Sequence, residues 1–205
     1  MKKFVALTVA LALCLSFAAC SSEKEFVPER GKTENYVYEN EAFGIKYTAD
    51  SDWYYYSDEE IASAMGVAAD EIFSEEQKEL ISEAELIYDM YCANLETGAT
   101  VSVNYENVGL VYGGLIDEKA YLEISSAGIE ESVSEAGIEI SKNEIGTATV
   151  DGNELPCLYV TLDIYGMSFY EVLAVKKCGD WFGVVTIASL SEEELPVLLG
   201  KITFK

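Results

Sequence analysis

The chain has 205 residues, 50% of them hydrophobic, with 13 basic and 37 acidic side chains and a formal charge of −24. That length and apolar share suit one domain with a real core, and the acidity disfavours nucleic acid and anionic lipid head groups as partners. There is no His and Arg30 is the only arginine, so a Ser–His or Cys–His nucleophile and a bidentate arginine clamp are not expected, and no cofactor, metal site or catalytic residue is nominated.

The chain starts with Lys2 and Lys3, followed by an uncharged run of 16 residues from Phe4 to Ala19. This is shorter than the ~20 residues a membrane-crossing helix needs, and it has the layout of a secretion signal. Leu15-Ser16-Phe17-Ala18-Ala19-Cys20 resembles a bacterial lipobox, with Phe17 where the family usually has Leu. The resemblance implies removal of residues 1–19, acylation of Cys20 and a lipid-anchored protein on the extracytoplasmic face of the cell membrane. Cleavage after Ala18 to release a soluble protein, and an uncleaved anchor, are the alternatives. Two or more acyl chains hold stably, at about 0.8 kcal/mol per buried CH₂. From Cys20 the chain is 186 residues, and losing Lys2 and Lys3 leaves 11 basic against 37 acidic residues, a charge of −26. Ser21 to Asn35 reads as a tether that reaches roughly 50 Å when extended. A single domain is then expected over 36–205.

Tyr36 to Tyr47 reads as a hairpin, with Tyr36-Val37-Tyr38 and Phe43 to Tyr47 on either side of Asn40-Glu41. Asp50-Ser51-Asp52 then turns into Trp53-Tyr54-Tyr55-Tyr56. Ser57-Asp58-Glu59-Glu60 has the spacing of a capping box, so a short helix is expected to Met65, with Gly66 able to end it. Ser74-Glu75-Glu76-Gln77 repeats the signal ahead of Leu80, Ile81 and Ala84. Leu86 to Leu95 and Ala99 to Tyr105 read as strands joined at Glu96-Thr97-Gly98. The second alternates Thr100, Ser102 and Asn104 with Val101, Val103 and Tyr105. Gly109, Gly113 and Gly114 mark a loop. Asp117 to Gly137 is a helical pattern with Leu122, Ile129, Val133 and Ala136 on one stripe.

Glu139 to Val150, Leu155 to Ile164, Phe169 to Lys177 and Trp181 to Ala188 read as strands of an antiparallel meander. Asp151-Gly152, Tyr165-Gly166-Met167-Ser168 and Gly179-Asp180 are its turns. The last two strands are apolar on both faces, so they are expected in the sheet centre, covered on both sides by helices. Ser191 to Glu194 opens a last helix that takes Pro196 in its first turn. Ile202-Thr203-Phe204 closes against the core.

Asn40 to Tyr47 with Trp53 resembles the opening of PsbP-like and Mog1-like domains. Tyr170–Val175 and Trp181–Ser189, followed by Ser191–Leu199, resemble their ending. The same arrangement recurs in secreted lipoproteins of Gram-positive bacteria. The resemblance covers Tyr36 to Lys205, with Thr48-Ala49-Asp50 standing where a Pro is common. It implies an α+β fold, an α/β/α sandwich around a mainly antiparallel sheet. It says little about activity, members being mostly adaptors or uncharacterised.

Cys157 and Cys178 fall near opposite ends of an expected hairpin and are a candidate disulfide; the alternative is that Cys92, Cys157 and Cys178 are buried thiols behaving as small hydrophobes. Trp53 to Tyr56 is the densest aromatic cluster. In extended backbone Trp53 and Tyr55 share one side and Tyr54 and Tyr56 the other, so a stacking platform uses one pair. Trp53 and Tyr55, with Asp50 and Asp52 as acceptors, are the candidate ligand-binding residues. The plainer reading sends alternate rings into the core. Asp50, Ser51, Asp52 and Asp58 to Glu60 lack EF-hand spacing and are expected as a solvated turn and helix start. The function expected is a non-catalytic, membrane-tethered binding domain for an envelope protein or other macromolecule. The alternative is a small-ligand or glycan receptor built on the Trp53–Tyr56 region.

Overall fold

A computed structural model of the chain describes residues 26–63, 86–107, 115–135 and 137–204. Cys20, the helix expected from Ser74 and the glycine loop after Asn107 lie outside the described residues.

The C-terminal meander follows its turn signals closely. β7 (Glu139–Val150), β8 (Asn153–Ile164), β9 (Met167–Cys178) and β10 (Trp181–Ser189) form antiparallel hairpins. The turn residues Asp151 and Gly152 have φ of 50° and 78°, and Tyr165 and Gly166 have 51° and 79°, the left-handed pair that matches strand twist in a two-residue hairpin. Tyr165 holds this conformation with a fully exposed, β-favouring side chain, at a cost of about 1 kcal/mol. Tyr165→Asn supplies a residue that tolerates the left-handed region and should raise stability by about 0.5–1 kcal/mol, read as a higher urea midpoint.

The earlier strands build two sheets where one was expected. β4 (Trp53–Tyr55), β5 (Ile87–Asn94) and β6 (Thr100–Asn107) join the meander in a seven-stranded sheet of order β4-β5-β6-β10-β9-β8-β7. β1 (Lys32–Glu34), β2 (Val37–Asn40), β3 (Ile45–Thr48) and β11 (Ile202–Phe204) form a separate four-stranded sheet in the order β1-β2-β3-β11. Two helices have described bounds: α1 (Glu118–Glu135) and α2 (Glu194–Leu199). The residues 58–63 are also helical.

The main core lies between the sheets. Tyr38, Phe43, Ile45 and Tyr47 from the small sheet meet Val101, Val103, Val172, Val185 and Ile187 from the large one, with Leu195 and Leu198 of α2 closing one end. On the large sheet's other face Tyr121 and Leu122 of α1 pack on Leu158, Val160, Val175, Phe182 and Val184. The Tyr121 ring stacks on Phe182 at 4.6 Å. The described residues are therefore layered sheet, sheet, helix. The mainly antiparallel sheet is as expected; among the described residues a second sheet, where a helix layer was expected, covers its other face. The reason is that Tyr38, Ile45 and Tyr47 alternate as in a strand with one buried face, and β11 pairs with β3 to widen that hairpin into its own layer.

β10 is central and buried on both faces, as its composition required. Its cover on one side is the small sheet, not a helix. The two sheets approach closely at Gly183, where a Cβ would stand 2.7 Å from the Phe43 ring and 3.1 Å from Ile45 Cδ1.

The domain also starts earlier than expected. Residues 26–34 are not a free tether: Phe26 packs edge-on to Phe43 at 5.1 Å, and β1 pairs with β2 at Lys32↔Glu39 to Glu34↔Val37. The Phe26 contact joins distant residues, but β1 and β2 form a local two-residue hairpin at Asn35-Tyr36, both with positive φ, where the sequence reading had the end of the tether and the start of the first strand.

The cysteine pairing is corrected too. Cys92, Cys157 and Cys178 are all free. The register sets Cys157 opposite Ala174, which leaves Cys178 four residues further along β9, roughly 13 Å away. Burial pushes the Cys92 thiol up to about 12 and Cys157 to about 11. In a chain begun after Cys20, a thiol reagent at pH 8 should modify Cys178 first, with Cys92 and Cys157 reacting only on unfolding. A native chain without a reactive thiol would contradict this.

Candidate functional site

Two clusters of polar and aromatic side chains stand out, and both rest on β5. The first is built on a bulge. The β5–β6 register shifts between Tyr88 and Met90, so Asp89 is an extra residue whose side chain turns toward the small sheet. Its side chain is 0% exposed. The carboxylate accepts from the Tyr38 hydroxyl at 2.5 Å, the Gly31 amide at 2.8 Å, Asn40 Nδ2 at 3.1 Å and Arg30 Nε at 3.2 Å. Arg30 then forks onto Asp58 with contacts of 2.8 and 3.2 Å and donates to the Tyr88 carbonyl at 3.0 Å. The lone arginine thus straps residues 26–31 to both β5 and the first turn of helix 58–63. It works inside the fold rather than as a ligand clamp.

Tyr38 is pushed well above its usual range, first by burial and then by the Asp89 charge. Tyr121 is raised in the same way, by burial and by Glu106. In the unfolded chain both hydroxyls titrate near 10. The folded state therefore keeps protons that the unfolded state releases, and the raised Cys92 and Cys157 thiols do the same from about 8.5. Stability thus falls as pH rises above about 8.5 and more steeply above about 10. Urea midpoints taken from about pH 8 to 11 should show this break.

The second cluster is the outward face of the short edge strand β4. Trp53 and Tyr55 point inward: Trp53 is buried against Tyr47 at 6.0 Å, and the Tyr55 hydroxyl donates to the Tyr36 carbonyl at 3.1 Å. Tyr54 points outward and is 43% exposed. Its ring meets Tyr56 edge-on at 5.0 Å, and Tyr56 meets Tyr91 of β5 at 5.0 Å. The Tyr56 amide bonds the Tyr91 carbonyl at 3.0 Å, which extends the edge past the end of β4. The result is a tyrosine strip of fixed geometry.

The capping box secures it. Glu60 accepts from the Ser57 amide and hydroxyl, each at 2.8 Å, and from the Tyr54 hydroxyl at 2.9 Å. These bonds lower the Glu60 carboxyl from its usual range, and they raise the Tyr54 hydroxyl. The sheet register then runs Tyr54↔Ala93↔Thr100↔Ala188↔Glu171 straight across five strands. Ala93, Thr100 and Ala188 make a low floor between the strip and Glu171, whose carboxyl burial raises above its ordinary range. Tyr54 and Glu171 sit on opposite sides of that floor, roughly 19 Å apart by strand count.

Of the residues nominated from sequence, Asp50 pairs with Lys201, and Asp52 accepts from Asn94 Nδ2 at 2.7 Å to brace the β5–β6 turn. Trp53 and Tyr55 face the core, so the four are not brought together. The outward pair is Tyr54, which is exposed, and Tyr56, which is half-buried, and Tyr91 joins them across the strand. Tyr91 was missed because nothing local links it to residue 56. Two open grooves, of about 460 and 650 Å³, lie elsewhere, the first beside Arg30, Val37 and Glu39, the second between α1 and β7 at Glu130 and Asn143.

Exposed apolar side chains are unevenly distributed among the described residues. The end of the large sheet that holds the β5–β6 and β8–β9 turns carries Tyr54, Leu95, Tyr165, Met167 and Leu190, with Val197 of α2 beside it. The opposite end, at the β9–β10 turn, is where Phe26 enters: a Cβ on Gly179 would lie 3.1 Å from Phe26 Cβ.

No family model and no curated protein matches the chain. Among solved structures it is similar to a cyanobacterial PsbP (CyanoP) from Synechocystis sp. PCC 6803, with 10% identity, a TM-score of 0.46, and coverage of 92% of this chain and 99% of that one.

Proposed function

We propose that this chain is a lipid-anchored, non-catalytic binding domain on the extracytoplasmic face of the cell membrane. It engages an envelope protein or other macromolecule through the end that carries Tyr54, Leu95, Tyr165 and Met167. The observation that carries this is the concentration of exposed apolar side chains at the end opposite the entry of Phe26. Rigid tyrosines and aliphatic side chains on short turns are the composition of a contact surface. Tyr165 fits the pattern, since a strained, fully exposed aromatic contributes nothing to the fold. The carboxylates near the strip are occupied by internal partners, Asp58 with Arg30 and Glu60 with Ser57, which favours binding over acid–base chemistry.

A photo-crosslinking residue placed at Tyr54 or Leu95 in cells should give one discrete adduct. The same residue at exposed Lys119, near the other end, should give none. No adduct from either apolar position would sink the reading.

The strip and its low floor favour a second reading, a glycan site. A sugar ring stacks on aromatic faces while Thr100 and Glu171 supply hydrogen bonds. Thermal unfolding with sugars and peptidoglycan fragments tests it. A true ligand at a hundred times its Kd adds about 2.7 kcal/mol, and Tyr54→Ala should abolish the shift. Unchanged melts across that panel remove this reading and leave the first.

A further inference from the structure

The entry of the chain into the fold fixes more than the position of the first residue. Phe26 is wedged between Phe43 and the β9–β10 turn, with the Gly179 backbone at its Cβ. Between Cys20 and Phe26 stand five residues, Ser21 to Glu25. Six virtual bonds reach at most about 20 Å, where the sequence reading allowed roughly 50 Å. An acylated Cys20 therefore keeps this end of the domain within reach of the head groups.

We propose that the β9–β10 end rests on the bilayer that holds the chain's own acyl groups, with Trp181 at the head-group level. The proposal rests on the anchor reading above and adds an orientation to it. Phe26, Phe43, Tyr105 and Trp181 form a run of ring contacts at 5.1, 5.1 and 6.2 Å, so Trp181 is held firmly against the core behind it. It is half-buried, and an aromatic with one apolar face and an indole N–H suits the membrane interface. Exposed apolar side chains flank it. Val27 follows Phe26 on the small-sheet side and is 70% exposed. Leu115 is 78% exposed on the helix side, next to Ile116, whose carbonyl accepts from Lys177 Nζ at 2.5 Å. The acidity of the chain favours a neutral lipid surface over an anionic one. In this orientation the Leu95 end points away from the membrane.

The test uses the full acylated chain in phosphatidylcholine vesicles with bromine on the acyl chains. The chain has two tryptophans, and Trp53 is buried in the core at the far end. Emission should be quenched as the brominated fraction rises, and Trp181→Phe should remove that quenching while Trp53 emission persists. Flotation of the protein with vesicles whose emission is not quenched would overturn the orientation and spare the anchor. Failure to float would overturn the anchor reading, and the orientation with it. Val27→Asp with Leu115→Asp should reduce quenching without reducing flotation. If it leaves quenching unchanged, these side chains are not the contact.

Discussion

Asp89→Ala should cost about 3–5 kcal/mol, the largest single loss in this chain, because it removes the acceptor of four donors at once. The Tyr38 and Asn40 side chains are each 1% exposed and have no room to turn toward water. Each buried donor left unpaired costs about 1–3 kcal/mol, and the sum is reduced by water entering the space. Arg30→Ala removes a half-exposed partner from the same network, leaves Asp89 its other donors, and should cost only about 1 kcal/mol. Urea unfolding separates the two by midpoint. Proteolysis adds a second readout: Asp89→Ala should open the chain to cleavage at residues 26–34 under conditions where the two sheets stay folded. Equal losses for the two variants would mean that the carboxylate is not the centre of the network.

Gly183→Ala should cost about 1–3 kcal/mol, the usual range for overpacking a core. The added methyl would stand 2.7 and 3.0 Å from two carbons of the Phe43 ring. That ring cannot retreat, because it is stacked on Tyr105 at 5.1 Å and met edge-on by Phe26. The strain is specific to one contact, so a smaller partner should relieve it. Phe43→Leu combined with Gly183→Ala should therefore be less destabilised than the two separate losses added together. Strict additivity would show that the sheets move apart as rigid layers instead.

The parts of the fold that local chemistry specifies were legible. Asp151-Gly152 and Tyr165-Gly166 set the hairpins, and the Ser57–Glu60 box started its helix, now seen with both halves bonded. Alternation at Trp53 to Tyr56 correctly divided the rings into two pairs, but alternation alone does not say which pair faces inward. Tyr47, from another sheet, decides that Trp53 is the buried one. The β11 edge of the second sheet, the Asp89 hub and the Tyr91 end of the strip all depend on pairings between distant segments. Two cues were present: one carboxylate in the otherwise uncharged run Ile87 to Asn94, and one arginine in the whole chain. A lone charge in a buried strand needs a partner, and only Arg30 could supply a guanidinium.

The strap also has a mechanical consequence. A pull on the chain ahead of Phe26 meets the Phe26 wedge first, then the Arg30 fork, then the three register pairs of β1 with β2. None of these belongs to the seven-stranded sheet's own ladder. Peeling them one after another releases 26–36 and pays out roughly 35 Å of extra reach. Load is taken up stepwise by the edge of the small sheet, like slack drawn from a folded cord, while the seven-stranded sheet stays closed.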